Sequence, residues 1–327
     1  MPKKRSKKPQ TVEERRKEVL ATGRKFKYPL QFAKYKVVFY TIIIAFIALI
    51  ALFLFSWLAF YQWNTTSDVA YRVSKVLPLP VAEIDGEKVK YSDYLMIYRS
   101  SLSTIEQQSG QMFTAVETNS IEKDYRRAAL DDAEEYAYAR KIAREQGIEV
   151  IEDEINKSYD EHRKVGGIER SEESFLNIID DNFGLDRDEY RYLLGQNLLK
   201  SKVMLAVDET AKQTTSDIER LLTERDGDFK SIAETLGDKV QYEETGGLVD
   251  ETNLDGGRAT TASTLEPGAI SARFLSTSGD GYYYVKLIDK TETEVNYVSI
   301  KIPFTEFDNR IASLKSSDKI QEYIHFE

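Results

Sequence analysis

Residues Val37 to Phe60 read VVFYTIIIAFIALIALFLFSWLAF, twenty-four positions without a charge, a proline or a glycine. Wound into a helix at 1.5 Å per residue, the stretch is roughly 36 Å long, enough to cross a ~30 Å hydrocarbon core with some tilt. It is too long, and too one-sidedly flanked by charge, for a buried helix of a soluble domain. Trp57, Tyr61 and Trp63 gather at its far end, where aromatic side chains favour the membrane–water interface. The apolar core of a cleaved signal peptide runs about 7–15 residues and ends in small side chains. The expectation is an uncleaved transmembrane helix over 37–60.

Charge gives the span a direction. The first 36 residues carry thirteen Lys and Arg against three Glu, a net +10. The whole chain is −10, which leaves −20 for everything beyond the span, where Arg72 and Lys75 are the only bases within twenty residues. Basic residues stay on the cytoplasmic side, so residues 1–36 are expected as a basic cytoplasmic tail and the acidic bulk as extracytoplasmic. The expected setting is a plasma membrane crossed once. A basic arm beside a span suits anionic lipid headgroups, and the acidic exterior repels nucleic acid. The first ten residues, MPKKRSKKPQ, also fit a solvated tail with no partner.

Some 267 residues follow the span, enough for two domains. The chain has no cysteine and two histidines, His162 and His325, which disfavours thiol chemistry, a histidine-rich metal site or a Ser–His–Asp triad. No cofactor or metal is implied. Ser120-x-x-Lys123 has a nucleophile-pair spacing but sits at a polar helix start, and Asp180-Asp181-Asn182 lacks the ligand spacing of a calcium loop.

Residues 61–76 read as a polar spacer. Asp85-Gly86 between apolar flanks predicts a hairpin over 81–89, followed by a helix from Tyr91. Ala129, Ala133 and Ala137 share a helical face in a segment that Gly147 ends. A further helix starts near Glu152 and breaks at Gly166-Gly167. Ser171 opens the next and Gly184 closes it, and Asp186 with Glu189 forms a capping box. Residues 77–206 are therefore expected as a mainly helical domain. After Val207, capping boxes are expected at Ser216–Glu219 and Thr305–Asp308, with a helix from Phe229 to Gly237 between them. Strands are expected over 282–288 and 295–302. The fold class is α+β: one transmembrane helix, a mainly α-helical domain, and an α+β domain over 207–327 with an extra C-terminal strand and helix.

Two stretches resemble known families. Val81-Ala82-Glu83-Ile84-Asp85-Gly86, then Ala139 to Val150 with Glu152 to Ile155, then Phe183 to Val203, are similar in order and spacing to the N-terminal chaperone domain of the SurA and PrsA foldases. Gly227-Asp228-Phe229, Gly246-Gly247-Leu248, Leu265 to Ser271 and Gly281 to Leu287 resemble the parvulin-type prolyl isomerase domain that these foldases carry. The second resemblance breaks where catalysis would sit. Tyr283 stands where parvulins have the histidine of "G-Y-H". The strand 295–300 looks like a displaced first strand, with Ser299 in place of its histidine.

Catalysis of X–Pro rotation, against a barrier of about 18–20 kcal/mol, needs an apolar pocket and a polarising hydrogen bond. By the resemblance Tyr283 would donate that bond, Phe274 would wall the pocket and Ser299 would line it; all three equally fit as packing. The functional expectation is a membrane-anchored extracytoplasmic chaperone for unfolded or extended segments of exported proteins, its isomerase activity weak or lost. Two alternatives stay open, an active peptidyl-prolyl isomerase and a non-catalytic envelope scaffold for one partner.

Overall fold

The computed structural model describes residues 11–27, 29–109, 115–165, 168–253 and 255–326. The first ten residues of the basic tail and the Gly166-Gly167 break lie outside them. The chain divides into two compact units, Met1–Thr65 and Thr66–Glu327.

The first unit is helical: α1 (Val12–Lys27), α2 (Pro29–Trp57) and a π-helical turn at Leu58–Gln62. Tyr35–Gln62 is long and apolar enough to cross a membrane. It takes in the whole apolar run 37–60, whose large side chains from Val37 to Phe55 lie mostly exposed. At its end the rings of Phe55 and Trp63 meet edge to face at 5.7 Å, and Trp57 lies 6.3 Å from Tyr61.

The second unit opens with a helix where a spacer was expected. Ser67 caps α3 (Asp68–Val76) by accepting from the Ala70 N–H, and Ala70, Tyr71 and Ser74 are buried. The hairpin β1 (Pro80–Ile84) and β2 (Glu87–Lys90) turns at Asp85 and Gly86, both with positive φ, 47° and 83°. Four long helices follow the pattern of caps and breakers: α4 (Tyr91–Ser109), α5 (Ala115–Gln146), α7 (Glu172–Phe183) and α8 (Arg187–Val207). Between α5 and α7 lie α6 (Glu152–His162) and the small hairpin β3 (Lys164–Val165) and β4 (Ile168–Glu169). Tyr91, Tyr94, Leu95 and Leu130 are fully buried where α4 and α5 meet the hairpin.

Glu189 holds α3 in place. As the third residue of α8 it closes the Asp186 capping box through Oε2, which accepts the Asp186 N–H at 3.1 Å. Its other oxygen, Oε1, accepts from the Tyr71 hydroxyl at 2.7 Å and from Lys75 at 3.0 Å. One carboxylate thus caps one helix and docks another.

Beyond α8 the order is α9 (Glu209–Glu224), α10 (Phe229–Leu236), β5 (Gln241–Glu244), β6 (Val249–Asp250), α11 (Arg258–Ser263), β7 (Phe274–Leu275), β8 (Gly281–Lys290), β9 (Glu294–Pro303), α12 (Glu306–Ser316) and β10 (Ile320–Glu322). Strands run β5-β9-β8-β7, with β6 also on β9, all antiparallel. One face of this sheet (Tyr282, Tyr284, Ile300, Ile302) packs on α9 and α10. The other (Val285, Leu287, Val295, Tyr297) packs on Ala259 and Ala262 of α11. Fully burying a side chain of Ile300's size contributes roughly 1.5–3 kcal/mol. Gly281 is required by its position opposite Pro303, because a Cβ there would collide with the Ile302 carbonyl.

Two expected caps are replaced. Ser216 lies inside α9, whose N-cap is Asp208, accepting from the Ala211 N–H at 2.7 Å. The Thr305 side chain makes no cap bond at α12. Oδ2 of the same Asp208 accepts the Thr305 and Glu306 N–H groups, at 2.8 and 3.0 Å. The part after 206 does not stand apart, because β10 returns to the first hairpin and pairs with β1, giving a sheet β10-β1-β2.

Asp208→Ala leaves three backbone donors without their acceptor and is expected to cost about 3 kcal/mol in urea denaturation, with Asp208→Asn about half as damaging. Burial alone would raise the Glu189 pKa, but the bonds from Tyr71, the Asp186 N–H and Lys75 outweigh it and hold the carboxyl below its usual value. The docking it provides is therefore complete above about pH 4.3, its ordinary value, and is lost as pH falls through the lowered one. Protection of α3 against amide exchange, corrected for the intrinsic rate at each pH, is expected to fall on acidification in the wild type, and Glu189→Gln to abolish that dependence.

Candidate functional site

The alternation of β8 sends Tyr282 and Tyr284 to the α9–α10 face and Tyr283 to the α11 face. The register then brings all three expected site residues onto that second face. Tyr283 pairs with Phe274 across β7–β8 and with Lys301 across β8–β9, and Ser299 pairs with Val285. The rings of Phe274 and Tyr283 stack at 5.9 Å with 24° between their planes. Tyr283 is 4% exposed and Ser299 is 1% exposed.

Charged groups cover this cluster. The Arg258 guanidinium, at the start of α11, lies 5.1 Å from the Tyr283 ring centre, forms an ion pair with Glu243 and donates to Ser299 Oγ at 3.4 Å. Lys301 lies 5.7 Å from the same ring centre and pairs with Asp280. Burial favours a raised Asp280 pKa, yet hydrogen bonds from Lys301, Ser276 and Ser278 prevail, and its carboxyl sits below the usual range. Burial pushes the Tyr283 hydroxyl up, and the Asp280 carboxylate adds to the shift. Tyr283 is therefore a neutral phenol at physiological pH, able to donate a hydrogen bond but not to act as a base. Ser299 lies under Arg258, whose guanidinium donates to its Oγ.

Arg258 is the residue that sequence reasoning missed. Its signal was present: Asp255-Gly256-Gly257 puts two left-handed glycines (φ 79° and 89°) before a helix, and the Asp255 carboxylate caps it through the Ala259 N–H at 3.1 Å. Tyr297 donates to the same carboxylate. That turn aims Arg258 across the sheet, and only the fold shows what lies beneath it.

A second feature lies in the helical part. Between α3, α4 and α8 is a cleft of about 260 Å³ whose walls include Tyr71, Lys75, Lys90, Met96, Asp188 and Tyr192. Asp93 at its base is almost wholly buried and is satisfied by Arg140 at 2.9 Å and the Tyr192 hydroxyl at 3.0 Å. Lys90 sits 5.8 Å from the Tyr192 ring centre. Tyr71 and Met96 are buried in its walls, and Lys75 and Arg99 lie over the Tyr71 ring, so its accessible lining is of mixed charge. Among the described residues no group of three or more His, Asp or Glu is placed to hold a metal ion.

A family model described as a SurA-like N-terminal domain matches residues 30–204, from the start of α2 nearly to the end of α8. No curated protein matches the chain. The matched region takes in the membrane-length helix, the first hairpin, the helices around the cleft and Glu189. Since it covers more than half of the sequence, the chain belongs to the family of proteins with a SurA-like N-terminal domain.

Proposed function

We propose that the protein is a membrane-anchored extracytoplasmic chaperone that binds unfolded or extended segments of exported polypeptides and has weak or no isomerase activity. The observation that carries this reading is membership of the SurA-like family by a helical part that holds a Tyr- and Met-lined cleft. Anchoring rests on the apolar helix Tyr35–Gln62, and the orientation on the net +10 of residues 1–36, which supports a cytoplasmic tail at a plasma membrane. We assign residues 207–327 to a degenerate parvulin-like part with an added strand, β9, and helix, α12. β9 is the strand between β8 and β5, and it carries Ser299 where the resemblance asks for histidine.

Isomerase chemistry needs a proline ring laid in an apolar trough with a donor beside the twisting amide. Here the ring of the candidate donor, Tyr283, faces Arg258, Lys301 and Phe274, and two of these neighbours carry charge. The neutral Tyr283 hydroxyl is the one observation that favours residual catalysis.

Full-length protein in nanodiscs is expected to suppress aggregation of a chemically unfolded client near stoichiometric ratio while leaving isomerisation of a proline tetrapeptide at its uncatalysed rate. Catalysis abolished by Tyr283→Phe would overturn the chaperone-only reading in favour of an enzyme. Recovery of a single stoichiometric partner, with no effect on unfolded clients, would favour a scaffold.

A further inference from the structure

Glu134, on α5, is fully buried, and neither of its carboxyl oxygens has a hydrogen-bond partner. Its nearest cation is Arg127, 4.0 Å away, and that guanidinium is already committed. Arg127 donates to Asp131 on its own helix and, at 2.8 Å, to Glu322 of β10. Lys315 of α12 donates to Asp131 at 2.6 Å. Two cations and two carboxylates thus join α5 to α12 and β10, and they balance without Glu134. Charged groups on the other elements packed on α5 have partners of their own: Asp93 of α4 with Arg140, Glu83 of β1 with Tyr323, Glu87 of β2 with Arg144, Lys200 of α8 with Glu135.

We propose that Glu134 is a proton-dependent latch on the C-terminal strand: protonated, it leaves the joint neutral; ionised, it adds a buried negative charge beside Glu322 and loosens β10 from β1. What it controls is a strand edge. β10 pairs Ile320 with Ile84 and Glu322 with Ala82, the Tyr323 N–H donates to the Val81 carbonyl, and Ile324 beyond it is fully buried. When the segment lifts, β1 presents unpaired N–H and C=O groups, the chemistry that accepts an extended polypeptide strand. This last step rests on the chaperone reading above; the latch does not.

Burial, then the Glu322 carboxylate, pushes the Glu134 carboxyl up to about 7. Once released and hydrated it returns to about 4.3, the ordinary carboxyl value. A raised native value stabilises docking fully below the ordinary value and loses that stabilisation as pH rises to the raised one. The release constant therefore grows up to tenfold per pH unit between about 4.3 and about 7, and levels off above.

The test is amide exchange by mass spectrometry on the full chain in nanodiscs from about pH 5 to about 8, corrected for intrinsic exchange. Protection of β10 is expected to fall toward neutral pH in the wild type while β8 and β9 hold theirs. Glu134→Gln is expected to keep β10 protected throughout, and His325→Asn, which removes the histidine on the same segment, to follow the wild type. A wild-type profile without pH dependence, or a Glu134→Gln profile that follows the wild type, overturns the latch. Should that variant fail to fold, Glu322→Gln reads the same coupling: it removes the neighbouring negative charge and is expected to lower the pH at which the loss of β10 protection levels off, and an unmoved upper limit overturns the latch. Added carboxymethylated, unfolded polypeptide is expected to restore protection to β1 at about pH 7.5 in the wild type. If β10 opens and β1 stays unprotected, the acceptor role is overturned and the latch stands. A protein with the latch that fails to suppress aggregation overturns the chaperone reading instead.

Discussion

A single carboxylate, Asp208, sets how the second unit is assembled. It is 1% exposed and accepts three backbone N–H groups from two helices 97 residues apart. The first turn of a helix has donors that its own backbone cannot satisfy, and a buried end must find acceptors for them. By serving the starts of α9 and α12 together, Asp208 fixes α12 beside the end of α8. Phe307 of α12 is then fully buried, with its ring 5.6 Å from that of Tyr138 on α5. The position of α12 in turn determines where the chain re-enters the first hairpin. Hydrogen bonds at that corner thus set the position at which α12 packs onto the apolar core.

Local chemistry made much of this fold legible. Asp85-Gly86 marked a hairpin because both residues tolerate positive φ, and Asp186-x-x-Glu189 marked a helix start because both halves of the box lie within four residues. Asp208 looked no different from any other acid, since two of its partners lie 97 and 98 residues away. Ser216 misled because Thr214 and Thr215, the polar residues before it, are buried inside α9 instead of preceding it. Residues 61–76 read as a spacer because two turns of helix bury only Ala70, Tyr71 and Ser74, too few to form a visible periodicity. At the sheet site, alternation along β8 placed Tyr283 apart from Tyr282 and Tyr284. The cover supplied by Arg258 depended on strand order, which no local pattern encodes.

The two faces of the five-stranded sheet have taken opposite courses. The α9–α10 face is filled by tyrosines and β-branched side chains around Ile300. On the α11 face, apolar packing at Leu287 and Val295 gives way to ion pairs around Tyr283. Such pairs contribute little to stability at the surface, but beside a buried ring they determine what else can approach it. In the helical part tyrosine serves otherwise: the buried Tyr71 and the half-buried Tyr192 each give a hydroxyl to a carboxylate. With no cysteine in the chain, these hydrogen-bonded phenols join α3 to α8 and α8 to α4 beside ion pairs such as Lys200–Glu135.

The pairing of β10 with β1 also has a consequence in time. The two strands are some 240 residues apart. At a synthesis rate of about 5–20 residues per second, β1 emerges roughly ten to fifty seconds before its partner exists. For that interval the first hairpin has a bare edge, and the site that Ile324 fills stands empty. A nascent copy is thus, for a while, itself a chain with an unpaired strand in need of cover, and crowded neighbouring copies are the nearest source of a matching one. Slow delivery of the last elements would favour exchange of β10 between molecules over closure within one.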